Sequence, residues 1–193
     1  MRDSLRFLPV ADAEPATKYA VASGVFELDQ GFYGQLFPDK DTALRNIVKA
    51  LNEPGGDLGC GLVAYNNNDA VGYLSFFPVA QKTTRNLATL KSILDLTTPD
   101  SRQKLRLSTA FQQQLAPLTS PGFYLNKILI FPGGQGASFG YRLFNYYLQE
   151  SEKLHLAPVF HVKKDNHSAI KFYNRQGFEV QGSDHEYVLC MKK

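Results

Sequence analysis

A glycine-rich turn between a strand pattern and a helix pattern constrains this chain more than any other stretch. Before it, residues 123–131 (Phe-Tyr-Leu-Asn-Lys-Ile-Leu-Ile-Phe) are dense in aromatic and β-branched side chains and read as a strand. The turn itself is Pro132-Gly133-Gly134-Gln135-Gly136-Ala137-Ser138-Phe139-Gly140. After it, Leu143, Phe144, Tyr147, Leu148 and Leu154 recur at helical spacing, so the chain leaves as an amphipathic helix. Such a junction suits phosphate: first-turn N–H groups converge there and the aligned peptide dipoles favour an anion. Glycine lets the backbone approach where a Cβ would collide. A second strand (158–162) and a second helix, opened by Asp165-Asn166 and closed near Gly177, follow at once. This strand–helix–strand spacing implies a right-handed crossover and a parallel pair.

At 193 residues the chain is expected to form one domain, 1–193, with room for a substantial core. A net charge of +3 is too small to argue for a nucleic-acid or membrane partner. Cys60 and Cys190 stand far apart with no CxxC partner, so zinc and thioredoxin-like chemistry have no support, and no metal is expected. Met1-Arg2-Asp3-Ser4 leads into no long apolar run, and no run is long enough to cross a bilayer. The expectation is a soluble cytoplasmic protein.

Ahead of the turn, residues 5–10 suit an edge strand. Asp12 reads as the N-cap of a first helix, with Pro15 in its first turn, running past Val21, Val25 and Phe26 to Gly31. A second helix starts near Asp39 or Asp41, carries Leu44, Ile47, Val48 and Leu51, and stops before Pro54-Gly55-Gly56. Residues 58–65 and 70–79 form a hairpin around Asn66-Asn67-Asn68-Asp69. Residues 81–120 then interrupt the pattern with two helical stretches, 86–94 and 103–115, broken at 97–101. Six basic residues face two acidic ones there, the only basic concentration in the chain. Most simply these charges are a solvated helix face. At the end, 178–180 and 186–191 read as strands joined by a turn at 181–184.

Three phosphate-binding readings compete for the turn. A P-loop needs lysine and a hydroxyl after its last glycine, and Tyr141-Arg142 stand there instead. A dinucleotide fingerprint finds Gly134 and Gly136 but meets Phe139 in the third position, and it comes late, after an antiparallel hairpin. The third reading fits. Gln135-Gly136-Ala137-Ser138-Phe139-Gly140 resembles the Gln/Arg-x-x-Gly-x-Gly/Ala signature of the GNAT N-acetyltransferase superfamily, with Ser138 in place of the usual middle glycine and small enough to cap the helix. Downstream, Asn166-His167-Ser168-Ala169-Ile170-Lys171-Phe172-Tyr173 followed by Gly177-Phe178 is similar to that family's Asn-x-x-Ala-x-x-x-Tyr…Gly-Phe element. The resemblance covers residues 123–180.

This resemblance implies an α+β fold: a mixed, mostly antiparallel central sheet of about seven strands, helices on both faces, and 81–120 as a helical insertion between strands 3 and 4. It implies acetyl-CoA as cosubstrate and a primary amine as acceptor. The pyrophosphate would lie on the N–H groups of Gln135, Gly136, Ala137, Ser138, Phe139 and Gly140, with Tyr141 beside them. The pantetheine arm would pair with backbone groups of Ile128, Leu129 and Ile130 as an added strand does, and a distortion in that strand would free an N–H for the thioester carbonyl. Asn166 takes the family position that hydrogen-bonds the arm, and Tyr173 that of the general acid on the departing thiolate. For the base, His161 is one candidate, and Glu27 and Asp29 at the end of the first helix are others.

Each of these residues also has a plainer reading. Tyr173 pairs with Ile170 as a core tyrosine would, His161 alternates with Val162 as any strand residue does, and Asn166 suits a helix N-cap. The acceptor is expected to be a small molecule before a protein, and a homodimer stays open. The competing reading of the same fold is an acyl-CoA-binding module that senses or docks without turnover.

Overall fold

The chain folds around a seven-stranded sheet, and the computed structural model describes residues 5–94, 100–118, 121–134, 138–182 and 184–192 of it. The strands are β1 (Arg6–Pro9), β2 (Leu62–Asn66), β3 (Asp69–Pro78), β4 (Phe123–Ile130), β5 (Pro158–Lys163), β6 (Phe178–Gln181) and β7 (Tyr187–Lys192). They lie in the order β1-β2-β3-β4-β5-β7-β6, and only β4 with β5 is parallel. α1 (Pro15–Leu28), α2 (Gln30–Leu36) and α3 (Lys40–Leu51) cover one face. α6 (Phe139–Lys153) and α7 (His167–Arg175) cover the other. α4 (Lys82–Ile93) and α5 (Ser101–Gln113) are inserted between β3 and β4. The α+β architecture is the one expected, with the insertion in its expected place.

Where local signals are strong the elements begin as read. Asp39 caps α3, its Oδ1 accepting the Thr42 N–H at 2.7 Å, and Asn166 caps α7 through the Ala169 N–H at 3.1 Å. α1 differs: Pro15 occupies its first position, where proline's fixed φ and missing N–H cost nothing, so Glu14 is the N-cap and Asp12 stays in a short 3-10 turn. α1 also ends at Leu28, and Gly31 lies inside the separate helix α2. There Tyr33 and Leu36 are buried one helical turn apart, which outweighs glycine's poor propensity. β2 begins at Leu62 instead of Leu58, because the Leu58 carbonyl accepts the Tyr73 hydroxyl at 2.5 Å and joins no ladder.

Two features of β4 prepare the site. Opposite Ser75 and Phe76 of β3 stand Lys127 and Leu125, so Asn126 is an extra residue, a β-bulge. One extra residue flips the alternation. Phe123 and Leu125 pack on the α6–α7 face, and past the bulge Ile128 and Ile130 do so too, while Leu129 packs on the α1–α3 face. β4 and β5, for their part, pair only at Phe123↔Pro158, Tyr124↔Val159 and Leu125↔Phe160, then part. The paired end is pinned from α6: the Tyr147 hydroxyl donates to the Phe123 carbonyl at 2.6 Å and accepts the Val159 N–H at 2.9 Å.

Candidate active site

Where β4 and β5 separate, the sheet opens into a cavity of about 310 Å³. Asn126 to Ile128 of β4 and His161 to Lys163 of β5 form its two jaws, and Asn166, Ala169 and Tyr173 of α7 close the end on one face. On the other face the walls come from Asp29 and Phe32 near the α1–α2 junction and from both inserted helices. Beyond Leu125 no strand among the described residues pairs with the β5-facing edge of β4, leaving a row of backbone groups open to an extended ligand.

Past the end of β4, Gly133 at φ +93° and Ser138 at φ +60° carry the chain into α6. The first bond within that helix runs from Arg142 N–H to the Ser138 carbonyl, so the N–H groups of Phe139, Gly140 and Tyr141 are not consumed by the helix ladder. Ser138 makes no side-chain cap bond, contrary to the capping expected of it; its left-handed backbone turns the chain instead. Gln135, Gly136 and Ala137 lie outside the described residues.

His161 has both ring nitrogens engaged. Nε2 lies 2.7 Å from the Ala116 carbonyl oxygen, which can only accept, so Nε2 carries the hydrogen. Nδ1 is then bare and accepts the Tyr124 hydroxyl at 2.9 Å. Burial pulls the imidazole down to about 4, against a partial lift from the Ala116 bond and with the Lys82 charge adding to the fall, so the ring is neutral at physiological pH. The Tyr173 ring packs among Phe144, Phe160 and Phe172. Its hydroxyl has no hydrogen-bond partner among the described residues, and burial raises its pKa, so it keeps its proton.

Five charged side chains line the same space: Asp29, Asp57, Lys82, Lys127 and Lys163, the last 3.8 Å from Glu186. Lys127 and Asp29 form an ion pair at 2.7 Å. Asp57 accepts the Thr89 hydroxyl; burial raises its carboxyl pKa, opposed by that bond and by Lys127 and Lys82. Lys82 donates to Gln112 Oε1 at 2.7 Å. Among the described residues no group of three histidine, cysteine, aspartate or glutamate side chains converges as a metal site, and no helix is long and apolar enough to cross a membrane.

A model of the acetyltransferase (GNAT) family matches residues 23–178, most of the chain. The chain belongs to the acetyltransferase (GNAT) family. No curated protein sequence matches it. Among solved structures, an N-acetyltransferase from Staphylococcus aureus Mu50 superposes with a TM-score of 0.69 at 16% identity, over 96% of this chain and 99% of that one. Another, described as an acetyltransferase, gives 0.66 at 16% identity over 97% and 98%. An Arabidopsis thaliana protein in complex with the bisubstrate analogue CoA-Ac-MVNAL gives 0.51 at 15% identity over 98% and 99%. At these identities the likeness is one of fold.

In this GNAT chain the site residues expected from sequence divide. Tyr173, His161, Asn166 and Ile128 come together around the cavity, Leu129 and Ile130 continue its β4 jaw, and Phe139, Gly140 and the half-exposed Tyr141 open α6 beyond it. Glu27 does not join them. Two residues apart at a helix end point to opposite sides, so Asp29 turns inward to Lys127 while Glu27 stays in solvent beside Lys40 at 3.9 Å. The sequence reading gave no site role to Tyr124, Asn126, Lys127 or Asp57, and it counted Lys82 only among the basic charges of 81–120. Lys127 alone left a signal: a charge inside an apolar strand needs a partner.

Proposed function

We propose that this protein moves the acetyl group of acetyl-CoA to a primary amine by direct attack within a ternary complex. The parting of β4 from β5 after Leu125↔Phe160, with Tyr173 lining the gap and its hydroxyl without a hydrogen-bond partner among the described residues, carries this reading. The open β4 edge suits the amides of a pantetheine arm, which would lie along it as an added strand. The N–H groups of Phe139, Gly140 and Tyr141, which bond no carbonyl among the described residues, suit a pyrophosphate. The bulge at Asn126 leaves backbone unpaired beside the gap, where an N–H could meet the charge that grows on the thioester oxygen.

Tyr173 is the proposed acid. Its O–H breaks as the C–S bond breaks, and the proton goes to the departing sulfur. On the other side the Tyr124 hydroxyl has given its hydrogen to His161, so its oxygen can accept from the attacking amine. As the C–N bond forms, the amine proton passes to the Tyr124 oxygen and the phenol's own proton to His161 Nδ1; once products leave, the relay runs back through Tyr124 to water in the cavity, and water reprotonates Tyr173. His161 thus acts through Tyr124. A cavity of this volume, walled on one side by α4 and α5, favours a small-molecule acceptor over a protein.

Thiol release from acetyl-CoA across a panel of amines tests the proposal. Amine-dependent turnover is expected. Tight acetyl-CoA binding with no turnover on any amine would overturn it in favour of a non-catalytic acyl-CoA-binding module.

A further inference from the structure

Of the five charged side chains that line the cavity, four already have protein partners, Lys163 among them with Glu186 at 3.8 Å. Asp29 and Lys127 neutralise each other at 2.7 Å. Asp57 takes the Thr89 hydroxyl on Oδ1, and the carboxamide of Asn86 is satisfied only with its nitrogen toward Oδ2, at 2.9 Å. Lys82 differs. Its ammonium has three hydrogens, and one goes to the neutral Gln112 side chain at 2.7 Å. Among the described residues no carboxylate comes within 4 Å of it, yet it lines the cavity and stands 5.5 Å from the centre of the Tyr124 ring. Asp57 acts on it only through space, without direct contact, so the half-buried ammonium keeps donors for an anion that enters the cavity.

The position of that anion matters. Lys82 lies over the ring of the tyrosine whose hydroxyl is fastened to His161. An anion on Lys82 and an amine on the Tyr124 oxygen would therefore be about one aromatic ring apart, a spacing that an α-amino carboxylate spans. One wall of the volume is apolar. Phe32 and Phe111 meet at 4.7 Å between their ring centres, and Leu90, Ile93 and Leu115 extend that wall. The pocket thus offers a cationic donor, an amine acceptor and an apolar recess around one centre.

Resting on the acetyltransferase reading of this cavity, we propose that the acceptor is an α-amino acid with an apolar side chain, its carboxylate held by Lys82. Lys82 is then a specificity-determining residue. Charge-assisted hydrogen bonds of this kind are worth about 10- to 100-fold in recognition.

The test compares L-phenylalanine and L-leucine with their amides and with the decarboxylated amines, phenethylamine and isoamylamine. Wild type should show kcat/KM higher for the carboxylated set by about 10- to 100-fold. In Lys82→Met that ratio should fall toward one, mostly through KM, and Lys82→Arg should restore much of it. Independently of turnover, L-phenylalanine should raise the melting temperature of the wild-type protein with CoA bound, and should not do so in Lys82→Met. Equal or better use of the decarboxylated amines by wild type, or a preference that survives Lys82→Met, overturns the proposal while the transferase reading stands. No thiol release with any member of these sets, despite intact acetyl-CoA binding, overturns the amino-acid proposal, and only the same silence across the whole amine panel overturns the transferase reading with it.

Discussion

The ammonium of Lys127 lies 2.7 Å from Oδ2 of Asp29, with only 16% and 8% of the two side chains exposed. The pair fastens β4, one residue past its bulge, to the end of α1, so it fixes one jaw of the cavity against the helical face. Burial sets its energetics. Removing one partner of a buried pair strands a charge and costs about 3–5 kcal/mol, whereas replacing both with apolar groups is often neutral. Lys127→Met and Asp29→Leu should each lower unfolding stability by about that amount. The double variant should recover most of the loss. Urea unfolding of the four proteins checks this, and single losses that merely add would show that the pair is not coupled.

Tyr173 should divide binding from chemistry. Burial keeps its phenol protonated, and its hydroxyl has no other duty among the described residues. Tyr173→Phe should reduce kcat by about 10²–10⁴-fold, the usual range for loss of a general acid. Acetyl-CoA affinity, read by calorimetry, should change little because the ring and its packing remain. An unchanged kcat would leave Tyr173 as a core residue only.

The frame of this site was legible because each part carried a local pattern. β4 and α6 show two different periodicities across one turn, and Asp39 and Asn166 announce helix starts. What decides the chemistry was not legible, for a physical reason. A bulge at Asn126 exists only relative to β3, so no property of residues 123–131 reveals it. His161 gains its character from Tyr124 and Ala116, 37 and 45 positions away in sequence. Spacing could not tell inward Asp29 from outward Glu27 without the place where α1 ends.

His161 should make stability fall in mild acid. Its pKa is near 6.5 in an unfolded chain and about 4 here, lowered first by burial. Between those values the unfolded chain binds the extra proton, so stability is full above 6.5 and is lost as pH falls toward 4. Going from pH 7 to 5 this one group should remove about 2 kcal/mol. The raised Asp57 carboxyl works in the opposite direction, so the comparison must be with His161→Gln and not with pH 7 alone. Urea midpoints should fall more steeply with pH in wild type than in the variant. Parallel slopes would mean that the imidazole is not desolvated.

Ser138 stands where the related signature has glycine, and its φ of +60° and ψ of 8° place it in the left-handed region. A non-glycine residue there costs about 1–2 kcal/mol. Glycine would remove that strain but add about 0.4–1 kcal/mol of unfolded-chain entropy, so Ser138→Gly should stabilise the protein by about 0.5–1 kcal/mol. No cap bond is lost, since the hydroxyl makes none. Ser138→Ala should bring no gain, because alanine keeps the Cβ. Acetyl-CoA affinity then separates two reasons for a serine at the head of α6. If Ser138→Gly binds as wild type does, serine is tolerated there only because it is small. If affinity drops tenfold or more in both variants, the hydroxyl itself touches the ligand, and the strain persists because that contact outweighs it.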